Sequence, residues 1–215
     1  MKKILTILFL LLFAMSCEKE DLVLSEREKI EVKYLQSTRG MVIAADTVNV
    51  IQENPPFYNV FGRYAYRHIV NYYDAERKSK LVVEWGDKIE IRFKAYIFSG
   101  SEPSSNETSP SSSAIYWSNV PEIIQALGEK TIPNGPGTSD DVTINTLDWS
   151  TDPLTIHLGT TEIIEGLERT LPGCREADSV QVYISSNLAY GNHLMGVVPK
   201  NSMVAWYMKI EKVTK

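Results

Sequence analysis

The chain has 215 residues, 43% of them hydrophobic and 10% aromatic, which is enough for one well-buried core with appendages. Its 22 Lys and Arg against 27 Asp and Glu leave a net charge of −5, and no basic cluster is present to neutralise phosphates, which argues against nucleic acid as a partner. His68, His157, His193, Cys17 and Cys174 show no metal-ligand spacing, and nucleophile-elbow, phosphate-loop and dinucleotide fingerprints are absent, so no metal or cofactor is expected.

In chain order, Met1-Lys2-Lys3, an apolar run from Ile4 to Met15, and Ser16-Cys17 have the charged, hydrophobic, small order of a secretory signal. The run is too short to span a bilayer as a mature helix. A cysteine after a small residue at that point resembles a bacterial lipobox, which implies a signal peptide over 1–17 with Cys17 lipidated. An ordinary signal peptide with Cys17 incidental is the alternative. Glu18-Lys19-Glu20-Asp21 reads as a solvated tether. With Glu rather than Asp after Glu18's neighbour Cys17, the expected address is the outer membrane of a cell envelope, on either face. Removing residues 1–16 takes two lysines, so the mature net charge becomes −5 − 2 = −7. Cys174 is then the only thiol left and reads as a small buried hydrophobe.

Ser25-Glu26-Arg27-Glu28 fits a capping box and predicts a helix over 26–36, within an extension spanning 18–60. Pro55-Pro56 breaks the chain, and Tyr64, Tyr66, His68 and Val70 then alternate as in a strand. After a turn at Gly86-Asp87, Ile89, Ile91, Phe93, Ala95 and Ile97 alternate with Glu90, Arg92, Lys94 and Tyr96, which predicts an antiparallel strand buried on one face. Residues 101–113 are Ser, Pro, Glu and Asn with almost nothing apolar, too little to offset ordering entropy. Ile115 to Leu127 predicts one helix with an apolar face, ended by the loop Pro133-Asn134-Gly135-Pro136-Gly137. A short helix is predicted over 162–171, stopped by Pro172-Gly173, and strands over 179–186 and 203–213. Several antiparallel strands with one short helix define an α+β fold, in which the sheet buries its apolar face against that helix.

Residues 153–213 hold the most specific pattern: Pro153-Leu154-Thr155-Ile156-His157-Leu158-Gly159, Ile163-Ile164-Glu165-Gly166-Leu167-Glu168, Ala189-Tyr190-Gly191, Val197-Val198-Pro199 and a last strand holding Trp206. In this order and at these intervals the block resembles the ligand-binding half of FKBP-type peptidyl-prolyl cis-trans isomerases. The resemblance extends more loosely to 61–100. It implies an FKBP-like antiparallel sheet wrapped around one short helix over 61–215, with an insertion at about 101–147.

The same resemblance implies an apolar cleft for proline-containing polypeptides. Trp206 and Ile164 would form its floor and wall, and Phe93, Leu154, Ile163, Leu167 and Val198 its sides. Tyr190 would offer its hydroxyl and Ile164 its backbone N–H to substrate carbonyls, with Asp148 as the candidate for the family's carboxylate. The chain has Leu167 where the family commonly has an aromatic and Phe93 where it has Tyr. Trp206, Ile163 and Leu167 also read as plain core, Tyr190-Gly191 as a turn with an anchoring phenol, and Asp148 as a loop cap. The implied activity is prolyl isomerisation assisting exported or surface proteins. The alternative is a catalytically silent FKBP-like binding module of an envelope lipoprotein.

Overall fold

A computed structural model describes residues 42–43, 57–61, 65–98, 115–132, 142–160 and 163–215. Cys17, the helix predicted over 26–36, the polar segment 101–113 and the loop 133–137 lie outside them.

The described strands are β1 (Val42–Ile43), β2 (Phe57–Phe61), β3 (Ala65–Ile69), β4 (Lys88–Phe98), β5 (Ile115–Ser118), β6 (Glu129–Ile132), β7 (Val142–Asn145), β8 (Leu154–His157), β9 (Ser179–Ile184) and β10 (Met203–Thr214). Two short helices accompany them, α1 (Pro121–Leu127) and α2 (Glu165–Thr170). The main sheet runs β1-β2-β3-β9-β10-β4-β5. All its pairings are antiparallel except β1 with β2. The free side of β4 is shared: β8 pairs with its first half, Lys88–Ile91, and β5 with its second, Lys94–Tyr96. β6 and β7 form a separate two-stranded ribbon. The α+β fold with a short helix, expected from the sequence, is therefore the one observed.

Period-two alternation assigns the two faces of the sheet. Ile89, Ile91, Phe93 and Ala95 of β4, Val180, Val182 and Ile184 of β9, and Val204, Trp206 and Met208 of β10 point inward, where Leu167 and Leu171 from α2 and its end close the core. Gly166 makes this approach possible, because a Cβ there would lie 2.3 Å from Ile184 Cγ2. Arg67 of β3 also points inward, and its guanidinium donates to the carbonyls of Thr170 (2.5 Å) and Pro172 (2.7 Å). A buried cation thereby satisfies the unpaired carbonyls at the end of α2 and complements its dipole.

The opposite face of β4 keeps Lys88 exposed and Glu90, Arg92 and Lys94 partly exposed, as the half-buried strand predicts, and is covered at Tyr96. Tyr96, Tyr183, Ala205 and Tyr207 are buried there with Ile123 and Leu127 of α1. Alternation reads only which residues share a face, so it could not anticipate a helix laid over the second one.

A second difference concerns 115–127, predicted as one helix. Ile115–Ser118 is a strand, and the helix begins only at Pro121. β-branched and aromatic residues favour the strand, and Ser118-Asn119 ends it. The Asn119 side chain accepts from Phe93 N–H (2.8 Å) and donates to the carbonyls of Ile91 and Asp152 (both 2.9 Å), while Ser118 Oγ donates to Phe93 O (2.8 Å). These bonds hold the chain extended against β4 until Pro121, preset for a first helical position, starts α1.

Candidate functional site

The apolar residues singled out at 153–213 belong to the inner core. Phe93, Leu167, Val198 and Trp206 are at most 1% exposed. Leu154, Ile163, Ile164 and Tyr190 are half-buried and pack against them. The residues implied to line one apolar site all belong to the inner core, four of them covered and four half-buried.

Each arrives for a local reason. Trp206 and Phe93 lie on the inner faces of the neighbouring strands β10 and β4, and their rings stack with centroids 4.6 Å apart. Ile163 and Ile164 are placed by the entry to α2, where Ile164 is the N-cap residue and its carbonyl accepts from the amides of Leu167 (3.0 Å) and Glu168 (3.1 Å). An isoleucine cap supplies no side-chain acceptor. The start of the helix is tied instead to the end of β8, because buried Glu168 accepts from Gly159 N–H at 2.6 Å. Tyr190 follows the 3-10 turn Ser186–Leu188, and the loop behind it is pinned by Asn201 N–H donating to Gly191 O at 2.8 Å. Gly191 has φ of +56°, a left-handed conformation that a side chain would strain.

Sequence reasoning missed two members, Tyr116 and Trp117. Trp117 meets Phe93 and Trp206 edge-on, with centroids at 4.7 and 5.7 Å. It is half-buried itself, whereas Trp206 is covered. Tyr116 is buried and accepts the indole N–H of Trp206 at 2.9 Å, and its hydroxyl lies 3.2 Å from that of Tyr190. Burial pushes the Tyr116 phenol well above its ordinary value, with neighbouring Tyr190 adding to the effect. Burial likewise raises Tyr190. Both phenols are therefore protonated at neutral pH and serve as neutral hydrogen-bonding groups. The available signal was the run Ile115-Tyr116-Trp117 itself, which is strand-forming by propensity.

Asp148 is not brought into this cluster. It is exposed in the 3-10 turn Thr146–Asp148, and the next residue, Trp149, packs on the outer-face cluster. Among the described residues, no carboxylate hydrogen-bonds to Tyr116, Tyr190 or Trp206. Nor does any group of three or more His, Cys, Asp or Glu among them stand ready to hold a metal. Cys174 is fully buried, and burial pushes its thiol up, so it is a poor nucleophile.

The arrangement defines a class of protein: an α+β domain whose largely antiparallel sheet packs on a short helix, with Phe93, Trp117 and Trp206 in ring contact and the neutral hydroxyls of Tyr116 and Tyr190 beside them. Residues 137–211 match the model of the family described as FKBP-type peptidyl-prolyl cis-trans isomerase. The chain is also similar to the crystal structure of the three FKBP domains of wheat FKBP73, at 11% identity and a TM-score of 0.44, over 74% of this chain and 51% of that one. It thus spans about half the length of that structure. No curated protein matches the sequence.

Proposed function

We propose that this protein is a peptidyl-prolyl cis-trans isomerase acting on proline-containing segments of exported or surface proteins, held to the outer membrane of a cell envelope by a lipid on Cys17. The carrying observation is that the family match over 137–211 contains Ile163, Ile164, Leu167, Tyr190, Val198 and Trp206, which share one apolar cluster. In this reading, residues 1–17 are the signal, 18–60 a tether and extension, and 61–215 the catalytic domain.

The chemistry needs no nucleophile. The rotation barrier of about 18–20 kcal/mol is the loss of amide resonance on twisting, and the uncatalysed step takes tens to hundreds of seconds. A twisted amide is less charge-separated than a planar one, so moving it from water into an apolar site costs less than moving the ground state. Each ~1.4 kcal/mol of that difference gives a tenfold gain in rate. Ile163, Ile164, Leu154 and Trp117 provide the apolar contact for the proline ring, supported from beneath by Trp206, Phe93, Leu167 and Val198. Tyr190 donates to a carbonyl flanking the twisting bond, and Ile164 N–H is a second donor. Asp148, exposed and apart, has no role in this scheme.

Two observations favour a second reading, a silent module that binds proline-containing chains. Trp206 and Phe93 are covered, each at 1% exposure, and among the described residues no carboxylate hydrogen-bonds to either phenol. Isomerisation of short Xaa-Pro peptides by the full chain, beside Tyr190→Phe and Trp206→Leu, separates the two. Acceleration that falls in both variants supports the enzyme. Peptide binding without acceleration supports the module.

A further inference from the structure

The hydroxyl of Tyr116 has two partners of different capability. The Trp206 indole N–H can only donate, and it does so to Tyr116 at 2.9 Å. Tyr190 Oη, at 3.2 Å, is the one remaining partner of Tyr116 among the described residues. Tyr116 is buried, so its own proton needs an acceptor, since a buried donor left unmade is penalised in full. That acceptor is Tyr190 Oη. If Tyr190 donated instead, Tyr116 would receive two hydrogen bonds and its proton would be stranded in the core.

The direction of the whole chain follows, Trp206 to Tyr116 to Tyr190. Tyr190 is half-buried, and with its oxygen engaged from behind, its proton is left for whatever occupies the site. We propose that Tyr116 is a positioning residue that, locked by the Trp206 indole, turns the Tyr190 hydroxyl into a committed outward donor for a substrate carbonyl. This rests on the prolyl isomerase reading above. Both phenols are pushed up by burial, which keeps the protons of the relay in place at neutral pH.

The test compares the full chain with Tyr116→Phe, Tyr190→Phe, the double variant and Trp206→Phe. Two readouts are used: kcat and KM for Xaa-Pro peptides, and the pH titration of the Tyr190 ring carbon by NMR of tyrosine-labelled protein. A donor to a flanking carbonyl holds planar and twisted amides alike, so its loss falls on KM. Tyr116→Phe is expected to raise KM roughly threefold to tenfold, the size of one neutral hydrogen bond. Tyr190→Phe should do the same and the double variant no more. Trp206→Phe makes both directions of the Tyr116–Tyr190 bond equivalent, so its expected effect is about twofold.

In the titration, Tyr116→Phe removes a donor to the Tyr190 phenolate and should move Tyr190 to higher pH. An unchanged Tyr190 titration in Tyr116→Phe overturns the relay, whatever the activity. Additive losses in the double variant overturn it as well. If the parent protein fails to isomerise any peptide, the enzyme reading falls, and an unchanged titration still overturns the relay.

Discussion

The indole N–H of Trp206 and the hydroxyl of Tyr116 meet at 2.9 Å across 90 positions of sequence. One residue belongs to the last strand and the other to β5, which follows the polar segment 101–113. The contact makes β5 part of the site rather than part of an appended insertion. It also gives a buried tryptophan the polar partner that its N–H requires. The same strand brings Trp117 edge-on to Phe93, so the aromatic cluster is assembled from separate stretches of chain.

Gly166 is where α2 touches the sheet. A Cβ there would sit 2.3 Å from Ile184 Cγ2 and 3.0 Å from Leu188 Cβ, closer than packed atoms allow. Gly166→Ala is expected to destabilise by about 1–3 kcal/mol, as overpacked cores do. The urea midpoint should fall with an unchanged slope, whereas a rise, the usual result of Gly→Ala in an open helix, would refute the contact.

Asp178 is fully buried and accepts from Arg77 Nε (2.7 Å), from Arg77 Nη2 (2.9 Å) and from Arg175 N–H (2.7 Å). Asp178→Asn leaves Arg77 without its charge partner beneath the 3-10 turn Ala75–Ser79. Breaking a buried pair on one side costs about 3–5 kcal/mol. Thermal unfolding checks this, and a loss below about 1 kcal/mol would mean that water reaches the pair.

Asp87 governs part of the acid response. Burial pushes its carboxyl up, but the Glu84 N–H (2.7 Å) and Lys215 (3.0 Å) outweigh that and hold it below the ordinary value. A depressed folded-state pKa stabilises above the unfolded pKa of about 3.9 and ceases to do so as pH falls through the folded value. Urea midpoints measured from pH 6 downward should therefore decline less steeply below about pH 4 in Asp87→Asn than in the parent.

Cys174 is 0% exposed, and its thiol is raised first by burial. Alkylation by iodoacetamide, followed by mass spectrometry of the peptide containing Cys174, is expected to proceed only through global unfolding. Its rate should rise with urea in step with the unfolded fraction. Rapid labelling of the native protein would show a local opening near Arg67.

Much of the secondary structure around Trp206 was legible, because its signals are local. The helix entry at Ile163-Ile164, the stop at Pro172-Gly173 and the alternation in β9 and β10 are short-range patterns, and each was found where it was expected. The strand at 115–118 was not. An apolar aromatic run before a proline reads equally as a helix lead-in, and what makes it a strand is pairing with β4 and the bonds from Asn119 to Phe93, Ile91 and Asp152. Asp148 shows the same limit, since a carboxylate close in sequence to β8 stands exposed beside Trp149 on the other cluster.

The sequence alone determined an α+β chain, because periodicity and turn residues act within a few positions, whereas a cleft lined by Leu154, Ile163, Ile164, Leu167, Val198 and Trp206 was implied only by the family resemblance. The tertiary structure alone decided which groups contact one another across distant strands: Tyr116 bridging Trp206 and Tyr190, Trp117 meeting Phe93 and Trp206, Arg67 closing the end of α2. Hydrogen bonds and ring contacts of that kind depend on register and on the separation of strands in space, which no local pattern encodes.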